Sequence, residues 1–416
     1  MFKKISYFAL LAQSAFLGAM APINIFRPTD KFLIPTKWPC TLFQATLAYE
    51  NAFKIRGYQA DDDELKTFAQ RKVNVMQIYQ CKQDAIAMLK NFSPNCSQGQ
   101  LAELFSLNDD DGTQGIFTPC GDFKIPVNLM FGLRAHFTPT FSFGLFLPYY
   151  VMELSHVRWT PDIISGFVPM TTEQLFSLAK TQGGLDLGGW RRQGIGDLYA
   201  QLTWAADFPQ MRPLLRNVRP QVRFGVLCPT GKKQDEDKLL AFSFGTDGAW
   251  GAQIAGSLDL TFGNYIRGGL DAEFIYLFGN TRERRIKTDL AQTDLLFLTK
   301  LPAYKEFGLY QQYNIFLESY AFISNFTVKI NYQHLKHNDD RLFVCSDRID
   351  PLVINSAESL QEWTTNSFIF SLNYDPCAPN STSWFKPYIS AWYKLGLNGK
   401  RALVADTAGI ALSLSW

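Results

Sequence analysis

Four histidines, His136, His156, His334 and His337, are the side chains best suited to proton transfer or metal binding near neutral pH. Their spacing matches no metal site, and the seven cysteines match no zinc pattern. A hydrolase would need a serine nucleophile beside one of the histidines, and no serine stands in a nucleophile elbow. The run Asn108-Asp109-Asp110-Asp111-Gly112 has the oxygen-rich composition that suits calcium. It completes no EF-hand loop and reads as a solvated acidic turn. Arg282, Glu283, Arg284, Arg285 and Lys287 form a basic cluster that suits an anionic partner or an ordinary solvated loop. The expectation from these residues is no catalytic group, no metal and no cofactor.

The elements that carry these side chains must therefore explain the chain. Hydrophobic residues make up 47% and aromatic residues 15%, which suits strands and membrane interfaces better than helix interiors. A net charge of +2 gives no electrostatic case for nucleic acid. No apolar run reaches the ~18 residues of a spanning helix, so a membrane crossing would have to be made by strands. The beginning reads as a secretory signal over residues 1–21. Lys3 and Lys4 form the basic region, Tyr7 to Gly18 the apolar region, and Ala19-Met20-Ala21 a small-x-small cleavage site. Pro22 directly after it would place the cut a residue or two away.

Strand periodicity runs along the rest. Ile410, Leu412, Leu414 and Trp416 alternate with Ala411, Ser413 and Ser415. The same period recurs in Phe326, Val328, Ile330 and Tyr332, in Phe368, Phe370 and Leu372, and in Leu198, Ala200, Leu202 and Trp204. Strands are predicted at about 41–57, 125–137, 141–155, 192–207, 218–229, 248–262, 264–278, 308–321, 325–335, 365–375, 385–396 and 403–416. The connections between them alternate short and long as far as the brief turn at Asn398-Gly399-Lys400. The long ones are 58–124, 156–191, 230–247, 279–307 and 336–364. A soluble sandwich has no reason to sort loop length by parity, whereas outer-membrane barrels have short periplasmic turns and long outer loops. The predicted fold is thus all-β: a transmembrane, antiparallel, up-and-down β-barrel of about twelve strands over 22–416, in a bacterial outer membrane. Short helices are expected at Ser97–Phe105 and Thr171–Ala179, each opening with a capping box. A last strand that ends on an aromatic resembles that of outer-membrane barrels, where it aids insertion, which makes the barrel-insertion machinery a partner. Membrane lipid and lipopolysaccharide are the others.

Three segments carry a family resemblance. Gly194-Ile195-Gly196-Asp197 opens one strand, Pro229-Thr230-Gly231-Lys232 closes the next, and Gly245-Thr246-Asp247-Gly248 opens the one after. This order over roughly Gly194 to Phe278 resembles the outer-membrane barrel family named for the meta-pathway of phenol degradation. The resemblance implies a transporter of hydrophobic compounds, similar in shape to long-chain fatty-acid channels. The residues that carry it are Gly194, Gly196, Asp197, Pro229, Thr230, Gly231, Gly245 and Thr246. The glycines read as strand ends and bends where backbone turns sharply. The residues ahead of Thr41 are too few for the separate plug domain of a TonB-dependent transporter.

Strand parity assigns Arg134, Arg223, Asp259, Arg267, Asp271, Glu273 and Lys329, with Glu50 and Lys54, to the lumen. Mixed charges of both signs do not suit an ion-selective pore. On the strand at 141–155 the inward set includes Phe146, Pro148, Tyr150 and Met152, which is apolar for a lumen. Pro148 removes a ladder donor, which reads first as a tolerated kink near the outer rim and second as a lateral break that releases a small hydrophobic solute sideways. The alternative is a non-transporting surface, adhesion or structural protein. Both termini are expected in the periplasm and the long loops outside. Any disulfide should join cysteines at one end, first among Cys81, Cys96 and Cys120.

Overall fold

The computed structural model describes residues 21–27, 30, 42–60, 72–90, 115–162, 170–263, 265–319, 325–345, 349–376 and 384–416. Alternation of apolar and polar residues gives each strand one greasy face and one polar face, and twelve such strands close into an antiparallel barrel. They are β1 (Phe43–Tyr58), β2 (Ile116–His136), β3 (Phe141–Pro161), β4 (in two segments, Trp190–Ile195 and Leu198–Ala205), β5 (Leu215–Cys228) and β6 (Gly251–Phe262). The circuit continues through β7 (Ile266–Leu277), β8 (Tyr310–Ser319), β9 (Phe326–His337), β10 (Trp363–Tyr374), β11 (Lys386–Lys400) and β12 (Ala402–Ser415). Each strand pairs with its chain neighbour, and β12 returns to β1 from Gln44↔Ser415 to Tyr58↔Ala402. Phe43 and Trp416 exchange backbone bonds of 3.1 and 3.0 Å across the seam, and their rings stack at 6.1 Å. No helix among the described residues is long and apolar enough to cross a membrane.

The greasy face is outside. Phe131, Ile254, Leu270, Ile315, Leu317 and Ile410 are exposed, while their strand neighbours Arg223, Asp271, Glu273, Gln333 and Lys394 are buried within. Exposed Phe137, Phe208, Tyr265, Trp384 and Phe385 ring the short-turn end, and Trp250 and Phe278 mark the other. An apolar outer band between aromatic girdles, around a polar interior, is the architecture of a bacterial outer-membrane protein.

The walls differ from the sequence expectation at three places. Strands β2 and β3 are taller than predicted, because bulges between Cys120 and Asp122 and between Lys124 and Val127 carry the pairing through Pro119 and Pro126. A bulge between Ala52 and Lys54 leaves Lys54 exposed, outside the lumen set. The last hairpin turns at Arg401, with φ 47°, rather than at Asn398-Gly399-Lys400. The helix Thr172–Gly183 forms with the expected capping box of Thr171 and Gln174. The helix expected at Ser97–Phe105 lies outside the described residues.

The long loops share one end and build a cap. A three-stranded sheet of Asn280–Arg285, Lys300–Glu306 and Arg341–Val344 stands above the mouth. Met76, Met88, Phe117, Trp159, Leu175 and Leu240 belong to a hydrophobic core shared by loops and upper strands. Cys81 and Cys120 are free thiols, as are Cys228 and Cys345, so the bridge expected first does not form with either of that pair. Cys40, Cys96 and Cys377 lie outside the described residues.

Candidate functional site: the filled lumen and the break in β4

Inward side chains fill the lumen by pairing with one another. Arg223 reaches Asp271 at 2.6 Å and Glu273 at 3.9 Å, all without solvent exposure. Arg267 pairs with Glu318 at 2.6 Å, Gln253 donates to Glu273 at 3.0 Å, and Asn314 donates to Asp271 at 3.1 Å. Lys394 donates to Gln333 at 2.6 Å, and the Lys329 ammonium lies 4.3 Å from the Phe316 ring centre. The guanidinium of Arg134 lies 5.9 Å from the Phe146 ring centre, and Asp259 is buried on β6. Low dielectric makes such pairs strong only while both partners are present.

A segment of the chain itself occupies part of the interior. Residues 21–27 and 30 run inside the barrel. Ile23 bridges Leu403 in parallel, and Asn24 bonds both backbone groups of Ala405 at 3.2 and 2.7 Å. The Phe26 amide donates to Glu50 at 2.8 Å, and its ring stacks on Trp392 at 4.8 Å. Arg27 lies 4.0 Å from the centre of the Tyr310 ring, and Asp30 accepts from Gln312 at 2.7 Å and Gln333 at 3.0 Å. This plug was not foreseen. Its residues show neither strand nor helix period, so only its buried partners reveal it.

The apolar inward set of β3 meets this segment. Pro148, Tyr150 and Met152 line an apolar cavity of about 70 Å³ with Ile23, Ile25, Tyr199, Leu227 and Phe244, and with Asp197, Gly245 and Thr246. Phe146 lies apart, stacked on Tyr199 at 5.9 Å. Beside Pro148, strand β4 is interrupted. Pairing passes from Phe146↔Tyr199 to Tyr149↔Ile195, so β4 carries one residue more than β3 across the gap. The Gly196 amide still donates to the Pro148 carbonyl at 2.7 Å. The N and O of one strand residue face the same neighbour, so the donor that proline lacks is missing on the β4 side. On the β2 side Met130↔Pro148 pairing continues.

The motif residues converge on this interruption. The Asp197 carboxylate accepts from the Gly231 amide at 2.8 Å, the Thr246 amide at 2.5 Å and the Thr246 hydroxyl at 2.6 Å. The Thr230 hydroxyl donates to the Gly196 carbonyl at 3.0 Å and accepts from the Leu198 amide at 2.9 Å. Pro229 leads into this loop from the end of β5. A Cβ on Gly245 would lie 2.1 Å from Asp197 Oδ2, one on Gly231 2.8 Å from Oδ1, and one on Gly196 2.6 Å from the Phe244 carbonyl. A Cβ on Gly194 would meet only the flexible Lys232 side chain, at 2.7 Å. None of these four has a positive φ. These four glycines therefore serve close approach, whereas Gly248, with φ 82°, makes the sharp turn expected.

The outer surface of the wall carries a groove of about 570 Å³ lined by Leu47, Phe131, Leu133, Leu145, Leu147, Leu198, Leu412 and Leu414. Leu147 and Leu198 line this groove, and their chain neighbours Pro148 and Asp197 line the inner cavity.

The histidines stand elsewhere. His156 pairs with Asp122 at 2.9 Å on the exposed wall, His334 bonds Asn366 at 2.7 Å, and His337 stacks on Trp363 at 5.5 Å. His136 is buried at the short-turn end of β2. The basic cluster divides among loop carboxylates: Arg284 takes Asp247 at 2.6 Å and Arg285 takes Asp237 at 2.9 Å. At the rim, Lys336 and Lys400 bond Glu362 at 2.8 and 2.7 Å and pull its carboxyl down to about 2.

No protein-family model matches the sequence, and no curated protein matches it. Among solved structures the chain is similar to an outer membrane channel from Pseudomonas putida F1, at 10% identity over 94% of this chain and 98% of that one, with a TM-score of 0.48. It is also similar to the Pseudomonas putida toluene transporter TodX, at 8% identity over 96% and 95% of the two chains, with a TM-score of 0.39. The Ralstonia pickettii toluene transporter TbuX shares 8% identity over 96% of each chain, with a TM-score of 0.34.

Proposed function

We propose that this barrel takes up small apolar molecules, which rest in the cavity behind Pro148 and leave sideways between β3 and β4 into the membrane. The observation that carries this reading is a pair of apolar hollows that approach each other where proline and an extra β4 residue interrupt the ladder, the inner at Pro148 and Asp197 and the outer reaching it at Leu147 and Leu198. Filling of the axis by Arg223, Asp271, Glu273 and the segment 21–27 supports a lateral exit over an axial one. Release into hydrocarbon spares an apolar solute the cost of rehydration, about 25 cal/mol per Å² of its surface. The lumen side chains named from parity, Arg134, Arg223, Asp259, Arg267, Asp271, Glu273 and Lys329, then act as packing that closes the axis. Phe146, Pro148, Tyr150 and Met152 form or flank the solute's path. The terminal strand that ends on Trp416 is the part offered to the insertion machinery.

The test is entry of the apolar fluorescent probe phenylnaphthylamine into intact cells, where the lipopolysaccharide leaflet is the barrier. Cells that make the protein should take up the probe faster than cells without it. Pro148→Ala supplies a ladder donor facing β4 and should slow entry several-fold while the barrel still folds. Equal rates with and without the wild-type protein would end the transport reading. An unchanged rate in Pro148→Ala would end the lateral one.

A further inference from the structure

The loop that joins β5 to β6, residues 229–250, covers the interruption from inside. Phe244 is its centre. The Phe244 ring lies 5.9 Å from that of Tyr150, and its carbonyl packs on Gly196, where a Cβ would be only 2.6 Å away. Ser243, Phe244, Gly245 and Thr246 make one wall of the apolar cavity. A solute that leaves the cavity toward β4 must displace this segment.

We infer that the Phe244–Thr246 segment is the gate between cavity and wall, and that Asp197 is the latch that holds it shut. The inference rests on the lateral route proposed above. The latch has three parts. Asp197 is buried, and its carboxylate is satisfied wholly by the loop, through Gly231 on the outgoing arm and Thr246 on the returning one. Gly231 and Gly245 are required by that proximity, since a Cβ on either would collide with the carboxylate. The charge of Asp197 has no ion-pair partner among the described residues. Hydrogen bonds to loop dipoles alone hold it, unlike the Arg223–Asp271 pair that locks the lumen. When the returning arm lifts, both Thr246 bonds break together, while Gly231 stays on Asp197 and Arg192 keeps the rest of the loop on the wall through the Ala241 and Phe242 carbonyls. Beyond the latch, Asp247 and Glu236 anchor the loop to the cap sheet through Arg282 and Arg284. Movement is then confined to the short returning arm.

In a cysteine-free background, Asp197→Cys with Thr246→Cys replaces the latch by a bond that oxidation closes and reduction opens. Phenylnaphthylamine entry into intact cells should fall tenfold or more on oxidation and recover on reduction. Gly245→Ala and Asp197→Asn each release the latch by a different cause. Both should speed hydrogen exchange of the Phe244 and Thr246 amides and raise probe entry several-fold. Exchange in the purified protein shows that the barrel is intact and the loop is what loosened. If the wild type admits the probe and the oxidised pair admits it equally fast, the gate is wrong and the lateral route stands. If faster loop exchange leaves entry unchanged, the latch is wrong. If the wild type admits no probe, the functional reading falls and the gate falls with it.

Discussion

Arg223 shows what a single residue contributes to the closed axis. It is fully buried between Asp271 and Glu273, so its removal strands two carboxylates in a low-dielectric interior. Arg223→Leu should destabilise the barrel by about 3–5 kcal/mol, the usual cost of breaking a buried pair from one side. The temperature at which the folded band on a semi-native gel converts to the unfolded one should drop, and Arg223→Leu with Asp271→Leu should recover part of the loss. Parity alone placed Arg223 and Asp271 on the inner face. It could not say that they touch, because pairing across strands depends on register, and register comes from turn geometry and bulges that one sequence does not display. The motif around Asp197 was visible for the same local reason that its purpose was not. Glycines stand out in a strand, but the carboxylate that requires Gly245 sits 48 positions before it, a contact made only by the fold.

At the scale of elements, the predicted strands lie within a few residues of all twelve, except where β2 and β3 continue past their bulges, although the stretch that forms β8 alternates poorly. Loop parity carried further than periodicity, because it depends on which end of the barrel a connection lies and not on the side chains in it. The plug escaped both signals. Asn24, Arg27 and Asp30 are buried although their types suggest solvent, since each finds a partner on the inner wall. Its attachment is specific enough to test. Asn24→Ala with Phe26→Ala removes both bonds to Ala405 and the stack on Trp392. The segment should then leave the lumen, the amides from Ile23 to Arg27 should exchange with solvent faster in the folded protein, and single-channel conductance in a planar bilayer should rise. Conductance equal to that of the wild type, with these amides exchanging freely, would mean that the remaining side chains close the axis without the plug.

For the whole molecule, the polar interior and apolar exterior define a membrane protein, and the cap defines its two ends as different. The cap carries ion pairs, a hydrophobic core and a separate sheet, while the opposite end carries tight turns and exposed aromatics. Folding a cap of this size across the membrane would require the bulk of the polar loops to be translocated, which is the arrangement the outer-loop rule describes. Cys345 is exposed in the cap and carries a free thiol, so it reports orientation without an added tag. An impermeant maleimide should label it on intact cells. Met211 is fully exposed on the turn between β4 and β5, at the other end. With every native cysteine replaced by serine, Met211→Cys should stay unlabelled until the outer membrane is opened. The reverse pattern would place the cap in the periplasm. The cavity behind Pro148 would then open toward the periplasm first, and uptake from outside could not begin at the cap.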